Sequence, residues 1–230
     1  IESNEDARTL TLASDFADVV FESRTPYKNV IYYLKNLLVQ YAPHLYDEQA
    51  RQNIDTHVEA IGREVAILSA TTKNIDPLLG CITNGLEMAE GSKVELLVNP
   101  SDNRFLMRAS SEYLMHNNYL ATNVNIKANN ASDSLAMSLK AADLYAGAFH
   151  FSDVGVRGGA KDNTLSVDAI FADSLRDLQG ELSARANISR KNNRRNVSIS
   201  FNPSSIRNGD TAWRIAADGI DIDSSRVDIR

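Results

Sequence analysis

One cysteine, Cys81, stands alone in the chain. A single thiol makes no internal disulfide and no multi-thiolate metal site, and it leaves the redox compartment open. Tryptophan also occurs once, and aromatic residues reach only 7%. That leaves little for the clustered aromatic surface of a glycan-binding β-domain. No stretch approaches the ~18 consecutive apolar residues of a membrane helix, and no basic-then-apolar leader opens the chain. Positive charge is in deficit: 24 Lys and Arg face 30 Asp and Glu, for a net charge of −6. A general nucleic-acid binder needs a basic footprint to meet phosphate, so that class is set aside. What remains is ordinary globular material, 43% hydrophobic and 23% charged over 230 residues, enough for one large domain or two small ones. The chain opens at Ile1 and stops at Arg230 inside an apolar/polar alternation, and it is read as an internal piece of a longer protein.

The first 91 residues read as mixed. Leu10 and Leu12, then Phe16, Val19 and Phe21, suggest strands bent at Ser14 and Asp15. Val30, Ile31, Leu34, Leu37, Leu38 and Tyr41 recur at helical period behind a Thr25 cap and Pro26, and Pro43 ends that helix. Asp76 and Pro77 begin a second, short helix through Leu78, Leu79 and Ile82, with Gly85 as its left-handed cap. Between them, 47–52 can extend a helix, and 58–72 has the β-branched content of a strand interrupted near Gly62.

Residues 92–230 read differently, as an antiparallel β-meander. Apolar and polar residues alternate through Leu120, Val124 and Ile126; Leu135, Met137 and Leu139; Leu165, Val167 and Phe171; Leu182 and Ile188; and Val197, Ile199 and Phe201. Turn residues separate these runs at 100–103, 116–118, 129–133, 158–163, 192–193 and 208–210. The expected fold is therefore mainly β with two short helices (α+β), its meander forming an elongated curved sheet or a taco-like apolar groove. Because side chains alternate across a sheet, the strands present one continuous apolar face, which costs about 25 cal/mol per Å² to leave in water. The chain folds the face over itself, lays helices on it, or offers it to a ligand.

Three passages resemble the TamB-like proteins of the AsmA-like group. They are Asp15 to Asp18 continuing through the helix Tyr27–Leu38 to Pro43; Asn74 to Leu79 with its Asp-Pro-Leu start; and Ser198 to Phe201, Pro203 to Ser205, Asp210, Trp213 and Ile215, ending in 220–222. The resemblance implies a periplasmic segment of an inner-membrane-anchored parent chain. It implies a groove that carries phospholipid acyl chains between the membranes, a role in outer-membrane assembly, and an outer-membrane barrel partner of the TamA type. Acyl chains bind by non-directional burial, at about 0.8 kcal/mol per methylene, so no catalytic motif, metal or cofactor is expected. The groove-lining candidates are the alternating residues named above. The rival reading is a structural assembly module that closes the same face into its own core and meets its partner through edge strands.

Other motifs have plainer readings. His44, His57, His116 and His150 share no metal-ligand spacing. No G-x-S-x-G elbow exists, so the chain is read as non-enzymatic. The run 155–159 has glycines at 155, 158 and 159 but lacks the Lys-Ser/Thr and helix of a phosphate loop, and reads as a hairpin turn. Arg190, Lys191, Arg194 and Arg195 form the one dense basic run, at a hairpin tip; it is either a solvated turn or a contact for anionic headgroups or an acidic partner.

Overall fold

The computed structural model describes residues 3–4, 7–24, 27–55, 65–77, 79, 85–173, 177–191, 194–214, 219–222 and 227–229. An opening hairpin, β2 (Ala7–Ala13) and β3 (Ala17–Ser23), carries the short β1 (Ser3–Asn4) on its edge. It leads into helix α1 (Tyr27–Tyr41), a 3-10 turn (Pro43–Leu45) and helix α2 (Glu48–Asp55). Next come β4 (Ala66–Thr72), β5 (Leu86–Met88), β6 (Lys93–Asn99) and the long strands β7 (Arg104–His116), β8 (Tyr119–Asn129), β9 (Leu135–Ala146) and β10 (Phe149–Lys161). The meander continues through β11 (Thr164–Asp173), β12 (Leu178–Lys191), β13 (Arg194–Phe201), β14 (Ser205–Asn208), β15 (Thr211–Arg214), β16 (Gly219–Ile222) and β17 (Val227–Ile229).

All 17 strands belong to one sheet, and every pairing is antiparallel. The spine runs β1, β2, β3, β4, β6, β7, β8, β9, β10, β11, β12, β13, β16, β17. β5 adds to the end of β7 beyond β6, and the β14–β15 hairpin adds to the start of β12 beside β13. The mainly-β, meandering architecture expected from the alternation is the one observed. The bend at Ser14 and Asp15 is the β2–β3 turn, where the Ser14 hydroxyl donates to Ala17 O at 3.0 Å.

Sequence and structure part at several points. Only Ala66–Thr72 of the 58–72 stretch forms a described strand; 56–64 and the Thr25–Pro26 cap lie outside the described residues. Of the short helix begun at Asp76, residues 76, 77 and 79 are helical, Leu79 N–H donates to Ile75 O at 3.0 Å, and 80–84 lie outside the description. Gly85 does take the left-handed conformation, φ 76°. The 47–52 region folds as its own helix, α2. The 155–159 run is not a turn: it lies inside β10, and only Asp162 and Asn163, both with φ near the left-handed region at 50° and 62°, make the turn. Gly155 sits under a large neighbour, since a Cβ there would approach Ile170 Cγ1 to 3.0 Å.

Helix α1 also turns differently about its axis. Its buried stripe is Val30, Tyr33, Leu37 and Tyr41, whereas Ile31 and Leu38 are 48% and 42% exposed. The stripe packs on Ala66 (β4), Val98 (β6), Phe105 (β7) and Ala128 (β8), flanked by Phe21, Leu96, Met107, Leu135 and Ala160. Tyrosines win over Ile31 and Leu38 because their hydroxyls meet polar turns at this end of the sheet. Tyr33 donates to Asn103 Oδ1 at 3.2 Å, and Asn130 Nδ2 donates to the Tyr41 hydroxyl at 3.4 Å. Burial pushes the Tyr33 phenol up to about 12.

The 3-10 turn clasps the far half of the sheet. His44 N–H donates to Asn163 Oδ1 at 2.7 Å, His44 Nδ1 lies 3.0 Å from Ile188 O, and Arg195 Nη2 donates to Leu45 O at 2.9 Å. A helix of 15 residues is about 22 Å long, and the 3-10 turn adds about 6 Å. Laid flat, the eight strand spacings from β4 to β13 cover about 38 Å. The helix and the turn after it thus touch one face of the curved sheet, from β4 to β13.

Candidate functional site

Register identifies the face under α1 residue by residue. One row of cross-strand partners reads Leu12, Val19, Ala70, Val94, Ala109, Ile126, Leu139, Val156, Ala169, Leu182, from β2 to β12. Every member is apolar. The adjacent row toward α1 reads Leu10, Phe21, Leu68, Leu96, Met107, Ala128, Met137, Gly158, Val167, Ala184, Phe201. The matching row on the opposite face is polar but for Val20: Thr11, Val20, Ser69, Glu95, Arg108, Lys127, Ser138, Arg157, Asp168, Ser183.

Helix α1 reaches only the end of this face. Leu10, Leu12, Met137 and Val167 remain 49%, 53%, 47% and 48% exposed, and none of the residues in the Leu12-to-Leu182 row is fully buried. That row alone extends about 43 Å across its nine strand spacings. Monomeric proteins rarely leave contiguous apolar surface of more than a few hundred Å² in water.

The sequence-level candidates fall on this face with few exceptions. Ile126, Leu135, Met137, Leu139, Leu165, Val167, Leu182, Val197, Ile199 and Phe201 share its register, and Ile188 lies there too, buried under the His44 clasp. Val124 joins Ala141 and Val154 in a second buried cluster at the end away from α1. Phe171 packs edge-on against Phe151, ring centroids 4.9 Å apart. It also lies over Gly180, where a Cβ would clash with the Phe171 ring.

Leu120 does not join them. Asn123 and Asp153 adopt left-handed φ of 48° and 51°, and the β10–β11 register shifts between Ser152 and Gly155. Beyond that bend, Leu114, Ala121, Leu144 and Phe151 supply the groove side, packing against the Val124 cluster. Leu120 falls in the alternate row, with Glu87, Met115, Tyr145 and His150. Strict alternation could not show this, because a bulge reverses the sense of the pattern.

The basic run is likewise divided. Arg190 is the cross-strand partner of Arg195, and Lys191 of Arg194. Arg195 holds the 3-10 turn, while Arg194 is exposed at the tip. Consecutive strand residues alternate between faces, so Arg194 and Arg195 do not project together.

Among the histidines, His44 serves the clasp and His116 ends β7. His150 Nε2 lies 2.8 Å from Asp143 Oδ1 and its ring stacks on Tyr145 at 4.4 Å, while His57 lies outside the described residues. The His150 contact lowers the Asp143 carboxyl below its usual value, and Thr122 adds a hydrogen bond of 3.1 Å.

The fold and this face together define a mainly-β protein whose one antiparallel sheet is apolar on the face that α1 touches and mostly polar on the other. Comparison with known proteins finds no matching family model, no similar curated protein and no similar solved structure.

Proposed function

We propose that the chain is a non-enzymatic segment of a TamB-like envelope protein, and that its apolar face shields or conducts phospholipid acyl chains between the two membranes. The observation that carries this reading is the registered apolar row from Leu12 to Leu182, which no helix covers among the described residues. An acyl chain needs a continuous apolar path without polar interruptions, and at about 0.8 kcal/mol per buried methylene it gains affinity in proportion to length. Met137, exposed and conformationally soft, suits a mobile ligand. The polar outer face suits an aqueous compartment such as the periplasm. In this reading the parent chain is anchored in the inner membrane, supports outer-membrane assembly and meets a barrel partner of the TamA type. Arg194 at the β12–β13 tip is the exposed cation available to a headgroup.

The test is native mass spectrometry with lipid extraction on the chain purified from a bacterial envelope, beside a soluble β-domain of equal size. Phospholipid enriched over the control is the expected result. A lipid-free, heat-stable chain overturns it in favour of a closed assembly module, a reading that draws on α1, which already seals one end of the face.

A further inference from the structure

A second surface lies on the side of the sheet away from the groove, at the end opposite α1. Glu87, Met115, Leu120, Tyr145 and His150 follow one another as cross-strand partners over β5, β7, β8, β9 and β10. The neighbouring row on the same side holds Tyr113, Thr122 and Asp143. Their partners in the alternate row, Leu144 and Phe151, pack inward on the Val124 cluster, which turns these two rows outward. Tyr113 and Tyr145 are 36% and 41% exposed, and Glu112 borders the same open depression as Glu87, Met115 and Leu120.

Three features of this surface point to one kind of ligand. It combines the exposed Tyr113 ring with the carboxylates of Glu87 and Glu112, while the Tyr145 ring is stacked on His150. No lysine or arginine lines the depression. Among the described residues no ion pair engages Glu87 or Glu112. Aromatic faces and carboxylates attract the same group, a cationic side chain, the first through the ring quadrupole and the second through charge. Met115 and Leu120 add an apolar floor on which the methylene stem of a lysine or arginine can lie. The row spans about 19 Å over its four strand spacings, the length of about six extended residues.

We propose that this surface docks an extended, basic segment of a protein partner, with a lysine or arginine side chain seated on Met115 and Leu120 between Glu87, Glu112 and Tyr113. The site lies on the opposite side of the sheet from the acyl groove and stands whether or not lipid binds there.

The experiment titrates the full chain, followed by amide NMR, with an acetylated and amidated Lys-Val-Lys-Val-Lys peptide, its Glu-Val-Glu-Val-Glu counterpart and zwitterionic phosphatidylcholine vesicles. The expected result is that only the lysine peptide shifts resonances along β5, β7 and β8, that the effect weakens steeply with salt, and that Glu87→Gln with Glu112→Gln reduces affinity at least tenfold. Both substitutions are at surface positions, and an unchanged spectrum of the free variant shows that it is folded. Peptide shifts confined to other acidic positions such as Asp177 and Asp210, equal binding by the double variant, or perturbation of the surface by vesicles instead of peptide would each overturn the proposal.

Discussion

Two valines on the same face of the sheet separate an open groove from a closed core. Val98 is 1% exposed beneath α1, whereas Val167 is 48% exposed beyond it. Replacing either by alanine removes the same two methyl groups and the same β-branch, so the strand-propensity change cancels in the comparison. At Val98 the lost transfer free energy is about 1.6 kcal/mol, and a cavity that α1 cannot collapse raises the cost to about 2.5 kcal/mol. At Val167 half of the side chain already meets water, so the cost falls to about 0.8 kcal/mol. Urea denaturation with an unchanged m-value reads the difference, about 1.7 kcal/mol, as a separation of midpoints. Aspartate sharpens the contrast: Val98→Asp buries a carboxylate and prevents folding, while Val167→Asp leaves a folded chain and, on the proposed reading, abolishes its co-purification with phospholipid. Equal costs for the two alanine variants would refute the open face, since they would mean that Val167 is as well packed as Val98.

Three further outcomes follow from local geometry. The Tyr33 phenol, raised from 10.0 to about 12 by burial, contributes stability that is complete below pH 10 and lost as pH rises toward 12; Tyr33→Phe should flatten the alkaline limb of a pH-dependent denaturation series. Asp143 has the opposite sign: its lowered carboxyl contributes stability present above pH 3.8 and lost as pH falls through its folded value, so Asp143→Asn should be less stable at neutral pH and lose less on acidification. Gly180→Ala should cost about 1–3 kcal/mol by overpacking against the Phe171 ring, and adding Phe171→Leu should recover much of it; failure of the second change to rescue the first, in thermal melts, would show that the ring is not the obstacle.

The alternation of Leu135, Met137 and Leu139, or of Val197, Ile199 and Phe201, was enough to place those residues on one side of a strand, because the side-chain period of a β-strand is two. Turn chemistry at 100–103 and 208–210 was enough to make successive strands antiparallel. The same rules misplaced Leu120 and read 155–159 as a turn. In the first case the left-handed residues Asn123 and Asp153 reverse the pattern partway along their strands. In the second, glycine carries two meanings, a bend or a space for a neighbour, and Ile170 leaning over Gly155 selects the second. The outward-facing row of Glu87, Met115, Leu120, Tyr145 and His150 had no signal at all, since it is assembled from single residues of five strands.

By itself, then, the sequence determined that the chain is mainly β, that its strands follow one another as a meander, and that each long strand has an apolar and a polar side. These are local properties, set by the period of the side chains and the dihedral preferences of the turns. Tertiary structure alone decided which side is covered, because that depends on where α1 lands. Its tyrosines find Asn103 and Asn130, and its following turn finds Asn163, Ile188 and Arg195, partners 60 and more residues away in the chain. Those contacts bury the apolar face at one end and leave it open beyond.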